Sequence, residues 1–273
     1  MNPSIKKLYY QSCVDELKVI KPGNFSIHSR RKGMDKNKFE LVAKISSEIL
    51  SERNLTVGES IFKASTICFK LLRSNYNLGI VILCAPIFKI PKKKNLNFKF
   101  ELNNILKNIT EEDGEKILLA IQKIVPAGLK KYSGKGDISS KISMNFKETM
   151  KIGSQWDRIS RCYTQCYREI LEIGLPYFIE KKKKFGYFSA IQHVFINFLA
   201  TDYDSHILRK FGNEKASKIQ KIAKLLRTNK CSSRFEIDLR KIDKYLKFFN
   251  LNPGTCADLT VTTLLISKIR DIF

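Results

Sequence analysis

Tryptophan occurs once in the 273 residues, histidine three times, and acidic residues are outnumbered by basic ones, 26 against 50. No stretch of eighteen uncharged apolar residues is present, which argues against a membrane-spanning helix. The nearest candidate, "YNLGIVILCAPIF" (76–88), is too short to cross a bilayer. The first twenty residues carry early lysines but reach Asp15 and Glu16 without a signal-like apolar stretch. A cytoplasmic protein is therefore expected. No CxxC occurs, and the seven cysteines are odd in number. Cys162 and Cys166 stand four apart on an expected helix, but no second Cys/His pair at metal spacing accompanies them. Reduced thiols, mostly buried, are expected. Alternation with period two is almost missing. "RFEIDLRKI" (234–242) shows it briefly and also suits a helix entry.

What the chain has in excess is positive charge, +24. Such a charge suits polyanions: nucleic acid, an acidic membrane surface or a phosphate-rich ligand. Yet lysine exceeds arginine 38 to 12, with many isoleucines and asparagines, as in a protein of an AT-rich genome. The runs "PKKKNLNFKF" (91–100) and "EKKKK" (180–184) read as solvated segments, and aromatics are not interleaved with the basic runs. No specific nucleic-acid partner and no membrane partner are expected.

Helical periodicity dominates. "NKFELVAKISSEILSER" (37–53), "TVGESIFKASTICFKLLRSN" (56–75) and "EEDGEKILLAIQKIV" (111–125) each carry an apolar stripe. "WDRISRCYTQCYREILEIG" (156–174) predicts one amphipathic helix closed by Gly174 and Pro176. "SAIQHVFINFLA" (189–200), "EKASKIQKIAKLLRT" (214–228) and "CADLTVTTLLISKIRDIF" (256–273) follow. Residues 89–110 and 126–147 read as connectors, with "SGKGDISSKIS" (133–143) the most loop-like. Apolar residues make up 43% of the chain, enough for a sizeable core, so a single all-α globular domain over 1–273 is expected.

Four polar segments stand beside apolar helices. In "KPGNFSIH" (21–28) Pro-Gly forces a turn, Gly23 lets backbone approach a ligand, and Lys21 offers a point charge to phosphate. In "SNYNLGIVILCAP" (74–86) Asn75 and Asn77 precede a helix whose first turn holds Gly79, so their amides can cap it or bind a ribose or phosphate oxygen. In "DSHILRKFGNEKA" (204–216) Asp204 suits an N-cap, Gly212 a C′ position, and Arg209 with Lys210 the last turn. This ordinary reading leaves only His206 unexplained. In "NLNPGTCADLTVTTLL" (250–265) Pro253-Gly254 makes a second tight turn, Thr255 suits an N-cap, and Asp258 falls in the first turn, where it can cap or hold Mg²⁺ near a polyphosphate.

Taken in order, "KPGN", "GMD" with Phe39, "VGESIFKA", "NYNLGIVILCAPIF", "WDRISRCY", "DSHILRKFG" and "NPGTCADLT" resemble the triphosphoribosyl-dephospho-CoA synthase family, from about residue 11 to 270. The variants resemble a divergent branch found in archaea and methylotrophic bacteria. "SNYNLGIVIL" stands where the best-known branch has TGGVNTHKG, and "NPGTCADLT" where it has SPGGSADLL. The resemblance implies an all-helical enzyme that joins ATP to 3′-dephospho-CoA and expels adenine, giving the precursor of a carrier-protein prosthetic group. It also implies that the four segments line the nucleotide site.

That chemistry needs stabilisation of an oxocarbenium-like transition state at C1′, a base for the 2′-hydroxyl nucleophile, and cations for a triphosphate. The residues expected to bind nucleotide are Lys21, Gly23, Asn24, Asn75, Asn77, Arg209, Lys210, Gly254 and Thr255. Asp204, His206 and Asp258 are expected to be catalytic, and Asp204, Asp258 and Glu59 to hold Mg²⁺, with Asp157 a further carboxylate. The alternatives are a related transferase with a different acceptor in C1-cofactor metabolism, and a basic nucleic-acid-binding helical protein.

Overall fold

The structure, a computed structural model, describes residues 4–91, 96–126, 128–129, 134–139, 142–228 and 232–270. These contain thirteen α-helices and no sheet. The helices are α1 (Ile5–Leu17), α2 (Lys36–Leu50), α3 (Val57–Leu72), α4 (Leu78–Phe88), α5 (Phe98–Lys107), α6 (Glu111–Ile124), α7 (Phe146–Gly153), α8 (Arg158–Thr164), α9 (Leu175–Phe185), α10 (Tyr187–Thr201), α11 (Ser205–Thr228), α12 (Ser232–Phe248) and α13 (Gly254–Arg270). Side-chain caps mark most starts. Asp35 accepts from two amides, Thr56 and Glu59 form a capping box, and Asn97, Thr110, Asn145 and Asp157 each accept from the third residue on. Each such cap contributes about 1 kcal/mol.

Three helices form the interior. Thirteen of the seventeen residues of α13 are buried, ten of fifteen in α10 and eight of eleven in α4. Helix α13 packs against α1, α4, α9, α10 and α11. Its threonines would be misplaced in such an interior if left unpaired. Thr260, Thr262 and Thr263 each donate to the carbonyl four residues back, at 2.7–2.9 Å. One cluster of buried apolar residues runs from Leu8 to Ile269, so the expected single helical domain is what the chain forms.

Several expectations need correction. Residues 156–174 are not one helix. Helix α8 ends at Thr164, Cys166 and Tyr167 take φ of 47° and 55°, and a π-helical turn, Glu169–Gly174, runs directly into α9. Gly174 and Pro176 thus sit inside a continuous helical path. The reason lies in α4. Pro86 has no N–H, so the Ile82 carbonyl one turn back is left over, and Tyr163 donates to it at 2.7 Å. Tyr167, fully buried, donates to the Leu83 carbonyl at 2.7 Å. Pinning both tyrosines to α4 breaks the helix that the apolar pattern alone suggests, and leaves Cys162 on α8 and Cys166 in the break itself. Within 89–110, expected to be a connector, α5 forms because Asn97 caps it and Leu102 and Leu106 are buried. Residues 234–242 are helical, inside α12. Six cysteines are free thiols, five of them buried, and Cys231 lies outside the described residues.

Candidate active site

A cavity of about 590 Å³ opens where α1, α2, α4, α6, α7, α11 and α13 meet. The start of α4, the start of α11 and the start of α13 all reach its wall through Asn77, His206 and Gly254. Helix N-termini present unpaired amides and a partial positive charge to whatever lies between them.

The two Pro-Gly turns fit together beside this cavity. Gly23 has φ of 78°, and a Cβ there would lie 2.4 Å from the Leu251 carbonyl oxygen and 3.0 Å from Pro253 Cδ. Asn24 Nδ2 donates to Asn252 Oδ1 at 3.0 Å. Asp243, buried on α12, accepts from the Gly23 amide at 2.9 Å and from Lys247 at 3.0 Å. Asn24, Asn252, Gly254 and Thr255 line the cavity; Gly23 and Lys21 do not.

Lys21 is a correction. Its side chain is fully buried, and its ammonium donates to the carbonyls of Glu16, Val19 and Phe25 at 2.7, 3.3 and 3.1 Å. The Glu16 carboxylate lies 3.0 Å away. A group so committed leaves no donor for a phosphate. Glu16, missed in the sequence, lines the cavity in its place. Burial raises the Glu16 carboxyl and lowers the Lys21 ammonium from their ordinary values, and their mutual attraction opposes both shifts.

Asp204 is a second correction. It is 1% exposed and off the cavity wall. One oxygen accepts from the Ile207 amide at 3.0 Å, the other from the Cys256 amide at 2.8 Å. It caps α11 and ties that start to the first turn of α13, so it positions the site rather than ligating a metal. Glu59 completes the α3 capping box, pairs with Lys116 at 3.1 Å, and is likewise absent from the cavity wall. Lys210 stacks its ammonium 5.1 Å from the Phe211 ring and is also off the wall. Among the described residues no group of three or more His, Cys, Asp or Glu side chains converges on a metal position.

The remaining expected residues do come together. Asn75 Oδ1 accepts from the Leu78 amide at 3.1 Å, and Asn77 Nδ2 reaches Ser46 Oγ at 3.2 Å, so both line the cavity while fixing the entry to α4. Asp258 lies against that entry. A Cβ on Gly79 would meet its Oδ2 at 2.1 Å, so only glycine lets the carboxylate approach. No hydrogen bond from a described residue reaches the Asp258 carboxylate oxygens. Burial, with Asp204 and Glu16 close by, pushes its carboxyl well above the usual range, and Arg209 opposes this. His206 lies beside Gly254, where a Cβ would meet its Nδ1 at 2.8 Å. Burial lowers its pKa to about 4, Asp204 opposing and Arg209, Lys210 and Arg31 assisting, so the imidazole is neutral at pH 7. Its expected part in proton transfer is thereby weakened.

Among the described residues Arg209 is the one arginine or lysine of the wall. Its guanidinium bonds Asp157, which caps α8 through the Ser160 amide. Its Nε is buried and has no hydrogen-bond partner among the described residues. The wall otherwise carries Glu16, Asp137, Asp157 and Asp258, and the chain's one tryptophan, Trp156. An acid-walled cavity inside a chain of +24 is not visible in composition. Its acids come from four separate segments, and that convergence is a property of the fold.

Over residues 2–273 the sequence matches the family described as CitG, ATP:dephospho-CoA triphosphoribosyl transferase. No curated protein sequence matches it. Among solved structures, a crystal structure from Archaeoglobus fulgidus, described as a candidate triphosphoribosyl-dephospho-CoA synthase, superposes with a TM-score of 0.65 at 21% identity. The superposition spans 83% of this chain and 96% of the other. At that identity the likeness speaks for the fold. No helix among the described residues is long and apolar enough to cross a membrane.

Proposed function

The chain belongs to the ATP:dephospho-CoA triphosphoribosyl transferase family, whose members move the triphosphoribosyl group of ATP to dephospho-CoA with loss of adenine, and we propose that in this protein the transfer takes place in the cavity beneath Arg209. The observation that carries this placement is the Arg209 Nε, buried in the wall and unbonded by any described residue. A buried guanidinium N–H without an acceptor costs about 1–3 kcal/mol, and a phosphate oxygen would supply one. The starts of α4, α11 and α13 add amides on the same cavity.

The one arginine among the described wall residues is already paired with Asp157, too little positive charge to balance a bare triphosphate, which brings about four negative charges of its own. The nucleotide therefore enters as its Mg²⁺ complex. The ion travels with the substrate and needs only one or two protein carboxylates. The alternative of a different acceptor in C1-cofactor metabolism has no observation in its favour.

The test is to incubate the protein with Mg-ATP and dephospho-CoA and separate the bases and nucleotides by chromatography. Adenine in step with the acceptor consumed is the expected result. ADP or AMP without adenine would overturn the placement of ribosyl transfer here. Binding is read separately, by quenching of Trp156 as Mg-ATP is added without acceptor.

A further inference from the structure

The Lys21–Glu16 pair does more than hold the first turn together. Glu16 is the penultimate residue of α1, where the helix dipole is negative and a carboxylate is disfavoured. Lys21 already satisfies the Glu16 carbonyl of that helix end and the Val19 and Phe25 carbonyls of the turn beyond it, and this purpose needs no acid beside it. A buried ion pair is a poor source of stability, since an apolar pair of similar size does as well or better. Glu16 is nonetheless kept 5% exposed, with Lys21 as the one described partner of its carboxylate and the cavity in front of it. On the wall of the same cavity, on the neighbouring helix α13, stands Asp258, its carboxylate oxygens free of described hydrogen bonds and pressed against Gly79. Two carboxyl groups facing one cavity, one ion-paired with a buried ammonium and one in no ion pair among the described residues, are an arrangement in which one holds a proton and the other does not.

We propose that Glu16, held in place by Lys21, is the base that takes the proton of the acceptor's 2′-hydroxyl, and that Asp258 is the acid that delivers a proton to the departing adenine. The assignment rests on the function stated above. The hydroxyl O–H bond breaks and its proton passes to Glu16. The oxygen bonds C1′ of the ATP ribose. The C1′–N9 bond breaks, its electron pair leaves with adenine, and adenine takes the Asp258 proton. One proton is gained and one given, and the pair resets through water. The direction of the Asp258 shift agrees, since the Glu16 charge is among the causes that raise it. Around Glu16 the titratable groups are Cys13, Lys21 and Asp258, with Asp243 behind Lys21; Asp204, Asp157 and Arg209 face Asp258 in addition.

The experiment measures adenine release and Trp156 quenching for the wild type, Glu16→Gln, Lys21→Met and the double variant. Glu16→Gln should lower kcat by more than about 100-fold, with KM for ATP and quenching by Mg-ATP within about threefold of wild type. Lys21→Met should lower kcat at neutral pH and recover it as pH rises, because Glu16 without its cation ionises only at higher pH. The double variant buries no unpaired charge. It should still melt below the wild type, because the carbonyls of Glu16, Val19 and Phe25 lose their donor, but it should lose no more activity than Glu16→Gln and show no recovery with pH. A merely structural pair predicts a lowered melting temperature without that pH-dependent rescue. Glu16→Gln with kcat within threefold of wild type, or with ATP affinity falling as far as kcat, would overturn the proposal. A wild type that releases no adenine would overturn the function itself, a different result from an active Glu16→Gln.

Discussion

The two Pro-Gly turns look alike in the sequence, and the fold uses them in opposite ways. In 21–24 the glycine faces protein. Its positive φ and missing side chain let the Leu251 carbonyl approach, and the lysine turns inward to close α1. In 252–254 the glycine faces the cavity, and its missing side chain makes room for His206. The first is a corner that holds the second in place. A glycine and a nearby cation thus mark close backbone approach, but not whether the approaching partner is a ligand or the chain itself.

The comparison is broken most strongly by adding one methyl group to each turn. Gly23→Ala places a Cβ within 2.4 Å of backbone at a φ of 78°. Strain at positive φ and the clash together should cost on the order of 3 kcal/mol, so melting temperature and activity fall together. Gly254→Ala meets only the His206 ring, 2.8 Å from Nδ1, a side chain that can shift. Its melting temperature should stay within about 1 kcal/mol of wild type while adenine release falls by about tenfold or more. Equal stability losses in the two variants would show that the turns are not different in kind.

Next in size is Asp204→Asn. Asparagine caps a helix as well as aspartate, so the sequence alone suggests a mild effect. The structure reverses that expectation. Both carboxylate oxygens accept backbone amides, from Ile207 and Cys256, and an asparagine can turn only one oxygen toward them. Its NH₂ then opposes an N–H, and about 1–3 kcal/mol should be lost in chemical denaturation. A variant as stable as wild type would contradict the bridging role.

The fold class was legible because helical periodicity is a local signal: α2, α3, α6 and α13 lie within a few residues of where their apolar stripes place them. The break at Cys166 and Tyr167 was not, because it depends on carbonyls of α4 far away in sequence. In the site, Asn24, Asn75, Asn77, His206, Arg209, Gly254, Thr255 and Asp258 do share one cavity. Lys21, Gly23, Asp204, Lys210 and Glu59 do not. A buried partner can satisfy a charged side chain as fully as a ligand does, and residue type cannot tell the two apart. Glu16 carried a signal only in hindsight. It is an acid five residues before the lysine, and its position at the end of α1 was not read.

Arg209→Lys sharpens the contrast between residues that bind and residues that hold. Lysine keeps the charge but loses the planar fork and the Nε donor. Mg-ATP affinity, read from Trp156 quenching, should fall about tenfold, roughly 1.4 kcal/mol, with little change in melting temperature. Unchanged affinity would remove Arg209 from the phosphate site.

A smaller effect separates His206 from an acid–base role. Its folded pKa, about 4, lies below the ordinary value of 6.5. As pH falls from about 6.5 toward 4 the unfolded chain takes up a proton that the folded one does not, so stability declines with falling pH. His193, stacked between Phe185 and Phe235 and also lowered to about 4, adds a second decline of the same sign. His206→Gln should remove only its own share, about 1 kcal/mol at pH 5 once partial exposure is discounted. The gap in melting temperature between wild type and variant should therefore move in the variant's favour as pH falls from 7 to 5. A constant gap would mean that the folded imidazole titrates normally.

The smallest expected effect concerns the surface charge, which is large where the cavity's is not. Lys183 and Lys184 are exposed on α9 beside Arg270, well apart in sequence from every cavity-lining residue. Replacing both with glutamine should change stability by less than about 0.5 kcal/mol and leave Mg-ATP quenching as it was. What should change is weak retention on DNA or RNA at low salt. Non-specific binding comes from phosphate contacts that release counter-ions, so removing two contacts lowers the slope of log affinity against log salt by about two. The wild type should already lose such binding near physiological salt and show no preference between sequences. Tight, sequence-selective binding that survives that salt would mean that the positive charge serves nucleic acid after all. Loss of Mg-ATP binding on changing these two lysines would mean that the surface field, and not the acid-walled cavity with its single arginine, governs entry of the nucleotide.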